Sequence, residues 1–330
     1  MSLCLSFDQI GKPADVLRLI EHQLPEAGHH DVRVRLHFAP INPADLNFIE
    51  GTYGRAAHPP CIPGHEASGV VTEIGKNVTS LKPGDSVIPL LGAGCWAQEM
   101  IAEEQHFARL PDGIDLVQAS MLRINPVTAW LLLHEFEGLT EGDWILQNAS
   151  NSGVGRSLIQ IAKKLGIRTL NLVRRPELIA ELKALGADAV VLDSPEGLEE
   201  AKAILHDAGA KPRVAANGVG ADSAIRLMDL LAPGGSLVTY GAMSRRSLKI
   251  PNKFLIFKDL HLRGLWVTRW LEKAGPNALF ETLHPLTEMI TDGELCIAVD
   301  QTVLLSDFQT AITRAQTDTR GGKVIIDLQN

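Results

Sequence analysis

Long apolar runs are missing from this chain. No stretch approaches the roughly 20 residues that a helix needs to span a bilayer, which argues against a membrane partner. Cysteine is sparse. Cys4, Cys61, Cys95 and Cys296 stand far apart with no C-x-x-C pair, which excludes a disulfide framework and a cysteine-built structural metal site. Scattered free thiols suit a reducing compartment, and Met1–Lys12 has no basic segment leading into an apolar one, so a cytoplasmic location is expected. A basic excess is absent too. Lys and Arg number 31 against 39 Asp and Glu, and the net charge of -8 is the wrong sign for a nucleic-acid partner. Aromatic residues make up only 5% of the chain. What remains as a partner is a small molecule.

With 330 residues the chain is long for one core, and two domains are expected. The first third reads as short strands broken by turns. Val32-Arg33-Val34-Arg35-Leu36 alternates apolar and basic residues, the period of a strand with one wet face. Gly69–Gly75 reads as another strand, and Lys82-Pro83-Gly84-Asp85 as a type II turn. These features fit a β-rich, partly closed barrel. From about Ile124 strands and helices alternate. Strands at Trp144–Asn148, Thr169–Val173, Ala189–Leu192, Arg213–Asn217, Ser236–Tyr240 and His261–Leu265 with helical crossovers imply a doubly wound parallel sheet, an α/β fold. The strands expected at Val299–Leu304 and Val324–Leu328 return the tail to the first domain.

The most telling segment runs from Leu146 to Gly155. A strand, a small-residue turn and a helix start form a phosphate cradle, with Asn151, Ser152, Gly153 and Val154 at its lip. Ala149 and Ser152 stand where a stricter fingerprint has glycines. A dinucleotide fold that selects a free ribose hydroxyl carries an acidic residue at the end of its second strand. Here Arg174-Arg175 follow Asn171-Leu172-Val173 instead, two guanidiniums suited to a 2′-phosphate, so NADPH is expected over NADH. Gly64-His65-Glu66 invites a zinc reading, but a catalytic zinc needs about three side-chain ligands and no others are evident, so no metal is expected.

Several blocks add to this reading. Ile41-Asn42-Pro43-Ala44-Asp45-Leu46-Asn47, Gly51-Thr52-Tyr53-Gly54, Asn77-Val78-Thr79 with Leu81–Asp85, Ile124–Trp130, Asn148–Gly155 and Phe257–Leu260 through Trp266 resemble the medium-chain dehydrogenase/reductase superfamily nearly end to end. The chain is most similar to its zinc-independent branch of quinone reductases and mitochondrial-type trans-2-enoyl thioester reductases. The first cysteine ligand of the zinc alcohol dehydrogenases falls at Asn42 here. The resemblance implies a GroES-like catalytic domain (residues 1–122 and 269–330), a Rossmann NADPH domain (123–268), and a homodimer formed by extending the sheet edge near His261–Val267. Two departures stand out. Enoyl reductases commonly have Asn where His65 stands, and Arg123 is bulky for its place beside Ile124-Asn125.

The implied reaction is NADPH-dependent reduction of an activated C=C bond, foremost of an enoyl thioester. The alternatives are a quinone or general enone reductase and a non-catalytic NADPH-binding protein. Protonation of the α-carbon needs a neutral donor, and tyrosine occurs only as Tyr53 and Tyr240. Tyr53 reads as the proton donor or as a lid over the nicotinamide, and Tyr240 as a cofactor contact. Asn42 reads as orienting ribose or carbonyl, or as an Asn-Pro turn. Thr128 reads as a cofactor contact or a helix start. Gly241 and Met243 follow a strand end on the cofactor side. Phe257 and Trp266 line the pocket or fill the core, and Lys323 reaches a phosphate or lies at the surface.

Overall fold

The alternation in Asp31–Pro40 becomes the spine of the first unit. Val32, Val34 and Leu36 are buried while Arg35 is exposed, as a half-wet strand requires. The computed structural model describes residues 2–317 and 319–329, and the chain divides into residues 1–124 with 275–330, and residues 125–274.

In the first unit a seven-stranded sheet runs in the order Val299–Leu304, Lys323–Asp327, Asp31–Pro40, Ser68–Ile74, Ser86–Pro89 and Phe107–Arg109, with Glu99–Glu103 also pairing with Asp31–Pro40. All pairings are antiparallel except Val299–Leu304 with Lys323–Asp327. Arg33 and Glu73 face each other across the sheet, their side chains 3.1 Å apart. Lys82–Asp85 is the expected turn, with Gly84 at φ 95°. The C-terminal strand matters most for the site. Ile326 pairs with Ala39, and the Ile41 N–H donates to the Val324 carbonyl at 2.9 Å, which sets Lys323 against Asn42. A core of Phe7, Leu36, Ile49, Val71, Trp96 and Ile326 supports this arrangement.

The second unit is a six-stranded parallel sheet in the order Ala189–Leu192, Arg168–Val173, Trp144–Gln147, Val214–Asn217, Ser236–Thr239 and His261–Gly264. The order reverses between Trp144–Gln147 and Val214–Asn217, and open α/β sheets receive ligands outside the carboxyl ends at such a point. The helix Gly153–Lys164 buries Val154, Leu158, Ile159 and Ile161 and keeps Lys163 and Lys164 exposed in its last turn, which suits its dipole. The helix after Arg175 starts at Leu178, because Pro176 and Glu177 form a preceding turn. Gly186, at φ 117°, ends it. The helix Val267–Lys273 stays with this unit.

Candidate functional site

The cradle lies at the carboxyl ends of the parallel strands. Ser152 caps the helix Gly153–Lys164, its Oγ accepting from the Gly155 N–H at 3.1 Å. Asn151 is exposed, Gly153 half-buried and Val154 buried beneath them. A Cβ on Gly155 would stand 2.5 Å from the Ser150 carbonyl oxygen and 2.7 Å from that of Ala149, so only glycine lets the helix approach the turn this closely. Ala149 takes φ 51°, the left-handed conformation that costs a side-chain-bearing residue about 1–2 kcal/mol. The turn geometry is kept although its glycine is not.

Buried amides brace this end of the sheet. Asn148 Nδ2 donates to Asn217 Oδ1 and to Ser223 Oγ, both at 2.8 Å, and its Oδ1 accepts from the Gly218 N–H at 2.7 Å. The backbone of Gly218 then comes within reach of Tyr240, whose hydroxyl oxygen would be 2.7 Å from a Cβ there. That hydroxyl is buried without a hydrogen-bond partner among the described residues. Burial pushes the phenol up to about 12, the nearby Ser152 side chain pulling the other way. Gly241 packs on Gly218, and the Met243 N–H donates to the Gly218 carbonyl at 3.0 Å with its side chain exposed. The Leu265 N–H donates to the Thr239 carbonyl at 3.0 Å, so Trp266 lies at the same end.

Phe257 does not. Its neighbour Lys258 accepts from the Gly234 N–H at 2.7 Å and donates through Nζ to the carbonyls of Met228, Asp229 and Leu231, all at the amino end of Ser236–Thr239. Phe257 is 79% exposed at the far end of the sheet from the cradle, which corrects its expected place at the cofactor. Arg174 is exposed and Arg175 half-buried directly after Arg168–Val173, with Arg175 Nε 3.6 Å from Glu177 Oε1. Thr128 is buried in the first turn of Asn125–His134, not standing open to a ligand. A turn that Gly155 lets the helix approach closely, two cations at the second strand's end and the buried phenol of Tyr240 near Ser152 fit a phosphorylated dinucleotide.

The first unit gathers a second constellation. Pro43 starts the helix Pro43–Ile49, and Asp45 on its first turn is fully buried. Asp45 Oδ2 accepts from the Asn42 N–H at 2.7 Å, and its Oδ1 accepts from the His65 N–H at 2.9 Å and meets His65 Nδ1 at 2.5 Å. Asn42 Nδ2 donates to Glu66 Oε1 at 2.7 Å, and Asn42 Oδ1 accepts from Lys323 Nζ. Glu66 Oε2 accepts from the Ile124 N–H at 2.9 Å. Arg123 donates through its terminal nitrogens to the carbonyls of His65 and Leu90. Tyr53 is half-buried, its ring edge-on to His65 with centroids 5.1 Å apart.

Electrostatics follow from burial. Desolvation pushes the Glu66 carboxyl up to about 7 against the pull of Lys323, and brings the Lys323 ammonium down to about 8 against the pull of Glu66. Burial also lowers Arg123, which Cys95 and Glu66 oppose, and pushes the Cys95 thiol up to about 12, leaving it unreactive. Lys323 is 7% exposed and turned onto Asn42, which corrects the expectation that it reaches a phosphate. The Asn42 amide is likewise engaged as a bridge between two charges. Among the described residues no three His, Cys, Asp or Glu side chains are grouped to hold a metal ion.

The sequence marks Arg123 only as a bulky departure and does not single out Asn148, Asn217 or Gly218 as site residues. A usable signal was present for two of them. Asn148 and Asn217 are polar residues that close apolar strands, and a buried amide at a strand end needs partners.

Residues 28–112 match the model of the alcohol dehydrogenase GroES-like domain and residues 153–284 that of the zinc-binding dehydrogenase family. The mitochondrial enoyl-[acyl-carrier-protein] reductase of Homo sapiens is 40% identical over 329 residues, 98% of this chain and 88% of the relative. That of Xenopus tropicalis is 38% identical over 98% of this chain and 94% of its own. Among solved structures, Etr1p with NADP and crotonyl-CoA superposes with TM-score 0.90 at 28% identity over 99% of both chains. A Bacillus thuringiensis protein described as a putative NADPH:quinone reductase gives 0.91 at 28% over 99% of this chain and 98% of its own. The mitochondrial setting of the curated relatives overturns the expected cytoplasmic location, because scattered free thiols report a reducing compartment without saying which one. The chain belongs to the medium-chain dehydrogenase/reductase superfamily, in the zinc-independent branch of the mitochondrial enoyl thioester reductases and the quinone reductases.

Proposed function

We propose that the chain reduces the C=C bond of a trans-2-enoyl thioester with NADPH. The observation that carries this is the 40% identity, over 98% of the chain, with an enoyl-[acyl-carrier-protein] reductase. Residues 125–274 hold the cofactor: the turn at Asn151–Val154 takes the pyrophosphate, Arg174 and Arg175 the 2′-phosphate, and Tyr240, Gly241, Met243 and Trp266 the nicotinamide half. Bound there, NADPH supplies the hydride that the β-carbon of the alkene receives. The residues 1–124 and 275–330 carry the protonation. Tyr53 gives its phenolic proton to the α-carbon, and Asn42 is held between Lys323 and Glu66 in the same unit.

A quinone reductase is the competing reading, favoured by the TM-score of 0.91 with the Bacillus thuringiensis protein. Oxidation of NADPH with crotonyl-CoA and with a small quinone, measured in parallel, separates the two. Higher kcat/KM for crotonyl-CoA is expected, and turnover of the quinone alone rejects the enoyl reading. We also propose a homodimer continued through the edge strand His261–Gly264, which leaves one side unpaired and is exposed along its length.

A further inference from the structure

Two amides cross an otherwise apolar layer of the parallel sheet. Gln147 and Asn171 are fully buried and stand directly opposite each other on neighbouring strands. Asn171 shares its face of the strand with Val173, which packs with Ile159, Leu182 and Val190. Gln147 Nε2 donates to Asn171 Oδ1 at 2.7 Å and to the Gly155 carbonyl at 3.0 Å. Asn171 Nδ2 continues the chain, donating to Thr169 Oγ1 at 2.9 Å and to the Ala189 carbonyl at 2.8 Å. With Nε2 set between two acceptors, Gln147 Oε1 is left without a partner among the described residues. Backbone pairing already joins these strands, so the sheet does not need the amides to close it. A buried amide with its oxygen unanswered destabilises the fold, and its presence calls for another explanation.

The bridge ends on the elements assigned to the cofactor. Gly155 is where the helix meets the turn, and without a side chain it cannot fasten itself to the sheet by packing; the Gln147 amide does so through the Gly155 carbonyl. Asn171 lies three residues before Arg174, on the strand whose end carries both guanidiniums. A second tie accompanies the first: Ser150, buried in the turn, donates through Oγ to the Leu172 carbonyl at 3.1 Å. We propose that Gln147 and Asn171 are positioning residues for coenzyme choice, their bridge fixing the spacing between the turn Asn151–Val154 and the pair Arg174 and Arg175. The proposal rests on the reading that puts the pyrophosphate on the turn and the 2′-phosphate on the arginines. NADPH then spans both anchors, whereas NADH uses the turn alone. Donors already held at the right spacing bind two linked anions more tightly than donors that must be drawn into place, because their ordering is complete before the ligand arrives. Loss of the bridge is therefore felt by NADPH and spares NADH. Neither amide touches the coenzyme; both act through the turn and the strand end.

Calorimetric titration of NADPH and NADH, with melting temperatures, separates the possibilities for Asn171→Leu, Arg174→Ala/Arg175→Ala and the combination of all three changes. Leucine keeps the branched shape of asparagine and suits the apolar layer. In Asn171→Leu the preference for NADPH, read as the ratio of the two dissociation constants, should fall by about fivefold or more, with NADH affinity held within about twofold. In the Arg174→Ala/Arg175→Ala background the same change should move NADPH affinity by less than about twofold, because no contact with the 2′-phosphate remains to be misplaced. Gln147→Met/Asn171→Leu replaces both amides by apolar side chains and leaves neither partner unanswered, so it should fold and lower the ratio even if Asn171→Leu alone does not fold. A merely structural pair would lower the melting temperature and weaken both coenzymes alike, or leave both affinities untouched. Either result, with the arginine variant still losing NADPH, overturns the proposal. If Arg174→Ala/Arg175→Ala binds NADPH as the wild type does, the 2′-phosphate reading fails, and the bridge has no second anchor to position.

Discussion

Lys323 and Asn42 stand 281 positions apart in the chain and share a buried hydrogen bond. The desolvation of a lysine and a glutamate in one interior is tolerable only because Asn42 answers both, its oxygen to the cation and its nitrogen to the carboxylate. Removing one partner of such a set leaves an uncompensated charge, at a cost of about 3–5 kcal/mol. At the second strand's end the logic is the reverse. Arg174 and Arg175 keep their charge in or near solvent, available to a ligand. Each guanidinium contact with a 2′-phosphate is worth about 1.5–3 kcal/mol. Arg174→Ala and Arg175→Ala should therefore each weaken NADPH binding by roughly ten- to a hundredfold and leave NADH binding unchanged. Calorimetric titration with both coenzymes checks this, and an equal loss for NADH would assign the arginines another task.

At the scale of elements, the cradle depends on how near a helix comes to the turn before it. Gly155 is the contact point, and an added methyl would meet the backbone carbonyls of Ser150 and Ala149 instead of a yielding side chain. Gly155→Ala should destabilise the second unit by about 1–3 kcal/mol and widen the turn. The readouts are a lower denaturant midpoint and an NADPH dissociation constant raised at least about tenfold, roughly the 1.4 kcal/mol that such a factor represents. Unchanged affinity would remove this turn from the cofactor site. Most of the elements were legible in the sequence because their signals are local: the alternation of Val32–Leu36, the Pro83-Gly84 turn and the amphipathic run from Val154. Pro176 suits both a first helical turn and the turn before it, and the structure uses it in the turn, with the helix starting at Leu178.

For the whole molecule, the edge strand His261–Gly264 is exposed and carries Leu262 outward, and Leu255, Ile256 and Phe257 are exposed in the segment that precedes it. Exposed apolar side chains near an unpaired strand suit a contact surface. It also gives Phe257 an occupation other than the cofactor. In light scattering the protein should have twice the 35.8 kDa mass of one chain. Ile256→Glu with Leu262→Glu should shift it to monomer, and a wild-type monomer at micromolar concentration would refute the edge-strand dimer.

By itself the sequence determined the two kinds of sheet, the small-residue turn that opens the helix Gly153–Lys164 and the pair of guanidiniums at the second strand's end, because each is written in residues within a few positions of one another. Only the tertiary structure decided what Lys323, Asn42, Glu66, Arg123 and His65 do. Their roles come from burial and from partners brought together by the pairing of Lys323–Asp327 with Asp31–Pro40, and the linear chain holds no trace of that distance. The same chemistry that makes a lysine reach for phosphate makes it bind an amide oxygen, and only its surroundings choose between them.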